Sequence, residues 1–330
     1  MQKKTVVAIE NGMLAIAGMF SILGEMLGIA KSHVHPIVAK EQVIIKATAK
    51  PGNSITVFLK DYRKSCKGTW ERYINFSEPP KFNDELLFSP VFCGIEAFFT
   101  YLERNNVRTK GVTITLETPG LIGDPFGKQC LSADSATIAA TVKALASLFS
   151  ASKPDVNKIL EIAENYRKNN DYNGVPVNAY SNSAERAENK MITTSLVLLN
   201  TGMCSYRGEF LMNLRLAQEA NAKKINKQID DGIVAEEMLI KAIKRNDSLL
   251  LLDAFKKYDN ICEELREAAN LKLGQRTDNM LNELRSVALL VPIEFNYSAF
   301  YVAIPKVKNN AKTIISIAKE YGFSVEMLKK

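Results

Sequence analysis

The stretch Phe126–Leu145, FGKQCLSADSATIAATVKAL, constrains the fold of this chain more than any other. Its second half opens a predicted helix, Ser135–Ser150, in which alanine and valine occupy close-packing positions. Before it, Val112–Glu117 (VTITLE) alternates strictly between apolar and polar residues, which is the pattern of a half-buried strand. The Gly- and Pro-containing segment Thr118–Lys128 connects the two as a loop. The sequence therefore predicts a strand, a long loop and a closely packed helix at this point of the chain.

The elements on either side of this unit differ in kind. Strands dominate before residue 192, and helices dominate after it. After the turn Pro51-Gly52-Asn53, the next strand is expected to return antiparallel to the one before it, and 18–36 is expected to be a glycine-containing turn region. The predicted strands are Thr5–Ile9, Met13–Ala17, Ile37–Ala49, Ser54–Leu59, Val112–Glu117, Ser195–Asn200, Ala288–Ile293, Ala299–Ile304 and Phe323–Met327. The predicted helices are Val91–Arg104, Ser135–Ser150, 153–169, 209–228, 233–245, 248–270, 277–287 and Ala311–Tyr321.

This order predicts an α+β fold with two lobes. The amino-terminal lobe is expected to contain a mixed or antiparallel sheet, and the carboxy-terminal lobe is expected to be a helix-rich α/β unit. A polar stretch, SNSAERAENK, ends at residue 190. We therefore predict two domains, residues 1–190 and 191–330.

Charge and hydropathy limit the classes of partner. The 330 residues carry 43 Lys and Arg against 36 Asp and Glu, a net charge of +7. The lysine concentrations at Lys223–Lys227 and Lys306–Lys330 are interpreted as solvated surface, because no aromatic residues accompany them in a nucleic-acid-binding motif. The apolar stretch Met13–Ala30 is similar to a signal peptide. Glu25 interrupts it and no clean small-residue cleavage site follows, so we do not interpret it as one. Neither a membrane nor a nucleic acid is an expected partner.

Cysteine and histidine usage argues against disulfide and metal sites. The five cysteines are odd in number, far apart and without a CxxC pair: Cys66, Cys93, Cys130, Cys204 and Cys262. This pattern indicates a reducing compartment, so we expect a cytoplasmic protein. His33 and His35 are the only histidines, and we interpret them as polar residues at a strand edge. We therefore expect neither a Ser-His-Asp triad nor a metal site.

Three strings, in register along nearly the whole chain, resemble the GHMP kinase superfamily. Gly12–Leu23 (GMLAIAGMFSIL) is similar to the family's amino-terminal string GKLxxAGEYAxL. Cys130–Ala136 (CLSADSA) is similar to its phosphate loop GLGSSGA, and Tyr172–Glu185 to its DNGSMGDxxxxxAE region. The likeness is greatest to bacterial-type phosphomevalonate kinase. The resemblance implies a two-lobe kinase fold, Mg-ATP as the cofactor, and ancestry in isoprenoid precursor metabolism.

The positions that carry catalysis in the family are altered here. By the resemblance, the family's lysine falls on Met13 and its glutamate on Met19. Methionine has no charge and cannot neutralise reacting oxygens. The family's catalytic aspartate falls on Asn178, whose amide cannot accept a proton as a carboxylate does. Asp171 lies nearby in the sequence and is the fallback candidate for that role.

The nucleotide loops are altered as well. Cys130, Ser132 and Ser135 stand where the family has glycines, and Asp134 adds a negative charge at the expected triphosphate position. Lys128, Ser132 and Ser135 remain candidate nucleotide contacts, whereas the alternative interpretation of Asp134 and Ser135 is helix capping. The family's late glycine loop is replaced by Pro292–Phe300, in which bulky side chains are expected to fill the space, namely Phe295 and Tyr297.

The favoured hypothesis is a catalytically impaired GHMP-fold protein, a pseudokinase, that acts by binding a small ligand, a partner protein or a second copy. The rival is an active ATP-dependent kinase acting on phosphomevalonate or a related metabolite. A third is a basic structural or nucleic-acid-associated protein. Aromatic residues from 88 to 101 are either core or a partner face: Phe88, Phe92, Phe98, Phe99 and Tyr101. Trp70 either covers the mouth of a cleft or packs in the interior.

Overall fold

The computed structural model describes residues 4–17, 19–29, 35–118, 133–169, 177–180, 196–201, 207–245, 247–295, 297, 300–307 and 309–328. Two compact units divide the chain. Unit 1 comprises Met1–Leu14 and Val38–Ala184, and unit 2 comprises Ala15–Ile37 and Glu185–Lys330. The sequence-based division placed residues 15–37 in the first domain, whereas contacts group them with the second unit. The predicted boundary between residues 190 and 191 lies outside the described residues.

Unit 1 is built on a six-stranded mixed sheet. Its strand order is β1-β2-β6-β3-β4-β5. Apolar residues alternate onto one face, where Val43, Ile45 and Ala47 of the second strand are fully buried. The strands are β1 (Thr5–Ala17), β2 (His35–Lys50), β3 (Ser54–Leu59), β4 (Lys64–Trp70), β5 (Ile74–Glu78) and β6 (Gly111–Glu117). The two short strands predicted at the start form the single strand β1, so that prediction was wrong in its boundaries.

The strand order differs from the hairpin that the turn at residues 51–53 suggested. β3 runs antiparallel to β2 as predicted, but β6 lies between them, antiparallel to β2 and parallel to β3. Gly111 at the start of β6 makes this insertion possible, because a Cβ there would lie 2.7 Å from the Ser54 carbonyl oxygen. Its N–H donates to the Gly52 carbonyl at 2.5 Å, which joins β6 to the β2–β3 turn.

Three α-helices lie among the described residues of unit 1: α2 (Glu85–Arg104), α3 (Ala133–Leu148) and α4 (Val156–Asn169). They pack against one another, and α2 also contacts β3. The predicted helix in the Ala-rich stretch is confirmed, and most of its residues are buried. The α2 aromatics are mostly core, since Phe88, Phe98 and Phe99 are fully or almost fully buried. Trp70 also packs inside, edge-on to Phe99, and its Nε1 donates to Glu103 Oε1 at 2.6 Å.

Unit 2 combines a four-stranded antiparallel sheet with six helices among its described residues. The strands are β7 (Leu196–Asn200), β8 (Ala288–Pro292), β9 (Phe300–Pro305) and β10 (Ser324–Leu328), in the order β10-β7-β9-β8. The helices are α1 (Met19–Met26), α5 (Arg207–Ala220), α6 (Ala222–Arg245), α7 (Ser248–Ala268), α8 (Gln275–Leu284) and α9 (Asn310–Glu320). Every residue of β7, β8 and β9 is buried, so both faces of these strands are covered. The α+β class predicted from the sequence is confirmed.

Two further predictions in unit 2 were wrong in detail. The region between residues 18 and 36, predicted as turns, contains α1. The helix predicted at 209–228 is broken at Asn221, whose side chain accepts a hydrogen bond from the Lys224 N–H at 3.2 Å and so caps α6. In the part of the chain that the structure describes, no helix is both long and apolar enough to cross a bilayer.

Candidate functional site

The sequence-predicted site residues fall into three groups. Met13 lies on β1 and Met19 begins α1, and both side chains are buried. Ser135 lies in the first turn of α3, and Asn178 lies in the short 3-10 turn Val177–Tyr180, where the backbone is described but not the Asn178 side chain. The remaining candidates lie outside the described residues: Lys128, Ser132 and Asp171. Met19 belongs to unit 2, whereas Met13, Ser135 and Asn178 belong to unit 1.

Charged side chains hold the turn Val177–Tyr180 at both ends. At its start, Glu164 of α4 accepts a hydrogen bond from the Val177 N–H at 2.6 Å. At its end, Lys143 of α3 donates to the Tyr180 carbonyl at 2.7 Å. Glu164, Val177 and Tyr180 are buried, and hydrogen bonds to charged groups are stronger than those between neutral groups. The backbone at residue 178 is therefore fixed from two different helices.

Lys143 also links this turn to the sheet. Its ammonium forms a short ion pair with Glu10, which points from β1 into the interior of unit 1. A buried carboxylate is expensive to desolvate, so losing either member of such a pair destabilises a fold strongly. Lys143 therefore contacts both β1 and the 3-10 turn.

The first turn of α3 contains an unpaired polar atom. Ser135 is fully buried, and its Oγ has no hydrogen-bond partner among the described residues. An unsatisfied buried hydroxyl costs about 1–3 kcal/mol. Helix α3 begins at Ala133, so Ser135 lies inside the helix, and its hydroxyl does not cap it. Asp134 precedes it in the same turn, where a carboxylate interacts favourably with the helix dipole and disfavours a bound anion.

A cluster of five aromatic rings forms in unit 2 around the segment that follows β8. Phe295 and Tyr297 are 3% and 1% exposed. Ring centroids of Phe20 and Phe295 lie 5.5 Å apart, as do those of Phe210 and Phe295, and those of Phe210 and Tyr297 lie 5.0 Å apart. Tyr258 closes the cluster edge-on to Phe20 at 4.7 Å. These separations are those of stabilising aromatic pairs. The space around this segment is therefore occupied by packed aromatic side chains.

The cluster contains one residue with a left-handed backbone and packs closely against one glycine. Phe295 has a φ of 58°, in the left-handed region, which costs a non-glycine residue about 1–3 kcal/mol. Gly232 of α6 lies directly against Phe20, because a Cβ at this position would be 2.4 Å from the Phe20 ring. Packing of the rings thus compensates for one strained residue and requires one glycine.

A buried carboxylate occupies the amino-terminal end of α1. Glu236 of α6 is 2% exposed and accepts a hydrogen bond from the Phe20 N–H at 2.6 Å. The Tyr258 hydroxyl donates to the same Glu236 oxygen at 3.4 Å. Burial, together with the Glu236 carboxylate, raises the pKa of Tyr258 well above its usual value, so the phenol stays a proton donor at neutral pH. A helix amino terminus attracts anions, and here a side chain of the protein already fills that role.

Four of these residues were not identified as candidates from the sequence: Glu10, Lys143, Glu164 and Glu236. Glu10 carried a signal, since it interrupts an apolar strand pattern with a charge. Glu236 sits on the apolar side of an amphipathic helix, where a charge implies a buried partner. No group of three His, Cys, Asp or Glu side chains in the described ranges is placed to bind a metal ion.

Several solved structures share this fold. The Lin0012 protein from Listeria innocua aligns with 99% of this chain and 100% of its own, with a TM-score of 0.71 at 13% identity. Mevalonate kinase of Methanococcus jannaschii aligns with 99% of this chain and 98% of its own, with a TM-score of 0.64 at 10% identity. Streptococcus pneumoniae phosphomevalonate kinase, in complex with phosphomevalonate and AMPPNP, aligns with 98% and 99%, with a TM-score of 0.61 at 13% identity.

The sequence matches no family model and no curated protein. At 10–13% identity the structural likeness establishes the fold alone. That fold is the one shared by the GHMP kinases, as the resemblance of the sequence predicted. The finer likeness to phosphomevalonate kinase stays a prediction.

Proposed function

We propose that this chain is a GHMP-fold protein that has lost efficient phosphoryl transfer and acts by binding a small ligand or a protein. The observation that carries the proposal is the packing of Phe295 and Tyr297. By the sequence resemblance, their segment stands in place of a glycine loop that approaches the ligand. Both rings are buried among aromatic side chains of unit 2. The segment therefore packs in the interior and does not form an open backbone loop.

The charges of the described residues support the same proposal. Phosphoryl transfer depends on positioning and on neutralising negative charge. Met13 and Met19, which stand at the family's charged positions, are buried and uncharged. Two buried or partly buried charged groups of the described residues, Lys143 and Glu236, bind other parts of the protein. At Met13 and Met19 the side chains therefore offer no charge that could neutralise the phosphates of Mg-ATP.

One observation favours the rival function, an active small-molecule kinase. The buried Ser135 hydroxyl is unpaired among the described residues and sits in the first turn of a long helix. A ligand oxygen at this helix end would satisfy it. In that case the acceptor would be phosphomevalonate or a related metabolite, and Lys128, Ser132 and Asp171 would join Ser135 in the site.

A thermal melt separates the two functions. The protein is heated alone, with millimolar Mg-ATP, with phosphomevalonate, and with both. A ligand at a hundred times its Kd stabilises the native state by about 2.7 kcal/mol, which raises Tm by several degrees in a chain of this size. We expect no shift with Mg-ATP.

A clear Mg-ATP shift followed by turnover to ADP and a phosphorylated product would refute the proposal. Asp171→Asn is the matched control for that outcome. It should abolish turnover in an active kinase, while leaving the Mg-ATP shift in place.

A further inference from the structure

The turn between α6 and α7 carries an exposed leucine. Only two residues separate these helices, and a run of four leucines lies in the first turns of α7. Leu251 is buried, and Leu250 and Leu252 are half-buried. Leu249 is 76% exposed. It therefore projects into solvent at the end of the helix pair.

The pairing of the two helices shows which α6 residues lie beside this leucine. Gln228, near the start of α6, donates to Glu264, near the end of α7, at 2.9 Å. The helices pack against each other and run antiparallel, so the last turn of α6 lies beside the first turn of α7. That last turn contains Lys244 and Arg245, and both are neighbours of Leu249 at the end of the pair.

Cations outnumber carboxylates around Leu249. We call residues 241–257 the α6–α7 tip. Its charged side chains are five cations and two carboxylates, all exposed: Lys241, Lys244, Arg245, Lys256, Lys257, Asp247 and Asp253. Asp247 accepts hydrogen bonds from the N–H groups of Leu249 and Leu250 at 3.1 and 3.0 Å, so its charge caps α7. The cations, apart from Lys257, make no side-chain hydrogen bond or ion pair with the residues that the structure describes.

An exposed leucine among unpaired cations suits an anionic lipid surface. A bilayer takes an apolar side chain into the boundary of its acyl region, while cations stay among anionic headgroups. Protein interfaces are instead depleted of lysine, and leucine is under-represented among their hot spots. A single-stranded nucleic acid stacks on aromatic rings, and Phe255, the one aromatic residue of the tip, is fully buried.

We propose that the α6–α7 tip docks this protein on anionic lipid surfaces. Leu249 enters the apolar boundary, and Lys244 and Arg245 contact the headgroup phosphates. The association is weak and reversible, on the order of 10³ M⁻¹ in accessible lipid, because one leucine and a few cations supply less than a single acyl chain does. The sequence did not predict a membrane partner, since a run of four leucines is typical of a buried segment. The proposal is independent of nucleotide binding.

Vesicle sedimentation tests this surface. The protein is mixed at physiological salt with millimolar vesicles of phosphatidylcholine alone, or of phosphatidylcholine with about one third phosphatidylserine. We expect binding to the phosphatidylserine vesicles only. Leu249→Gln, which keeps a good helix former at this position, should weaken binding about tenfold. Lys244→Gln combined with Arg245→Gln should weaken it roughly twentyfold, since each cation near the surface contributes about fivefold.

Matched controls separate the tip from the overall charge. Lys223→Gln combined with Lys224→Gln removes the same charge from exposed positions at the other end of α6, about 30 Å away. At physiological salt that distance exceeds the screening length, so this pair should leave binding unchanged. Leu216→Gln, at an exposed leucine of α5, is the apolar control. All of these side chains are exposed, so the variants are expected to fold, and their melts check this.

Three results overturn the proposal. The first is no binding to phosphatidylserine vesicles. The second is binding that is unaffected by Leu249→Gln, which is attraction to any polyanion, and equal binding to a short DNA duplex would identify it. The third is an equal loss in the two cation pairs, which assigns the effect to net charge. None of these results alters the response to Mg-ATP, so failure here is distinct from failure of the proposed function.

Discussion

Replacing Asp259 by asparagine should stabilise the protein at neutral pH. Asp259 lies on α7 and is buried; its Oδ2 accepts a hydrogen bond from the Leu290 N–H at 3.4 Å, while Oδ1 has no partner among the described residues. Burial raises the pKa of this carboxyl to about 6, partly offset by the positive charge of Arg285. Arg285 itself pairs with Glu263, so the Asp259 charge lacks an ion-pair partner of its own among the described residues.

The sign and size of the effect follow from this pKa. Below the unfolded pKa of 3.8 the carboxyl is protonated in both states, and its ionisation costs no stability. Between 3.8 and about 6 only the unfolded chain ionises, so the free energy of unfolding falls as the pH rises. Above that window the full cost applies, which is on the order of 3 kcal/mol at 1.36 kcal/mol per pKa unit. Asp259→Asn removes the charge, and we expect a gain of about 1–3 kcal/mol at pH 7.5.

Urea unfolding at pH 4, 6 and 7.5 measures this. Far-UV circular dichroism follows the helices of unit 2, and the fluorescence of Trp70 follows unit 1 as an internal reference. The gain should be large at pH 7.5 and absent at pH 4. Asp253→Asn, at an exposed position of the same helix, is the matched control and should change little. The reasoning is refuted if Asp259→Asn gives the same change at every pH, or if the native chain becomes more stable through this window.

Two further substitutions test the packing and the buried charges. Gly232→Ala should destabilise unit 2 by about 1–3 kcal/mol, because the new Cβ overlaps the Phe20 ring; Gly208→Ala, which meets nothing, should not, and equal Tm values for the two variants would contradict the clash. Lys143→Met should cost about 2–4 kcal/mol by removing the ion pair that Lys143 forms with the buried Glu10 carboxylate. Adding Glu10→Gln to Lys143→Met should recover part of that loss in urea unfolding, and no recovery would mean that the pair is not coupled.

Segments with strong local periodicity were predictable. The strand at 111–117 and the helix at 133–148 follow directly from alternation and from a run of helix formers, and both are found within two residues of the predicted start. The buried strands of unit 2 were also identified from short apolar runs. In each case the residues that decide the structure are neighbours in the sequence, so a short window contains the information.

Elements without such a local signal were missed. β4, KSCKGTW, has lysines and a glycine where a strand usually has branched apolar residues, and its inward positions are Cys66, Gly68 and Trp70. The start of α1 is not marked by a Ser, Thr, Asp or Asn in the sequence just before it. The carboxylate of Glu236, 216 residues away, accepts the hydrogen bond from the Phe20 N–H instead. The position of β6 between β2 and β3 is likewise a pairing between distant segments.

The same distinction between local and long-range information applies to the candidate site. The sequence by itself determined that Met13 and Met19 carry no charge, that Asn178 is an amide, and that bulky rings replace glycines after β8. Only the tertiary structure decided that Phe295 and Tyr297 pack inside a ring cluster, that Ser135 is buried without a partner in the described residues, and that Lys143 fixes the turn containing Asn178. Chemical identity belongs to the residue, whereas burial and partners arise when distant segments exclude water from the same space.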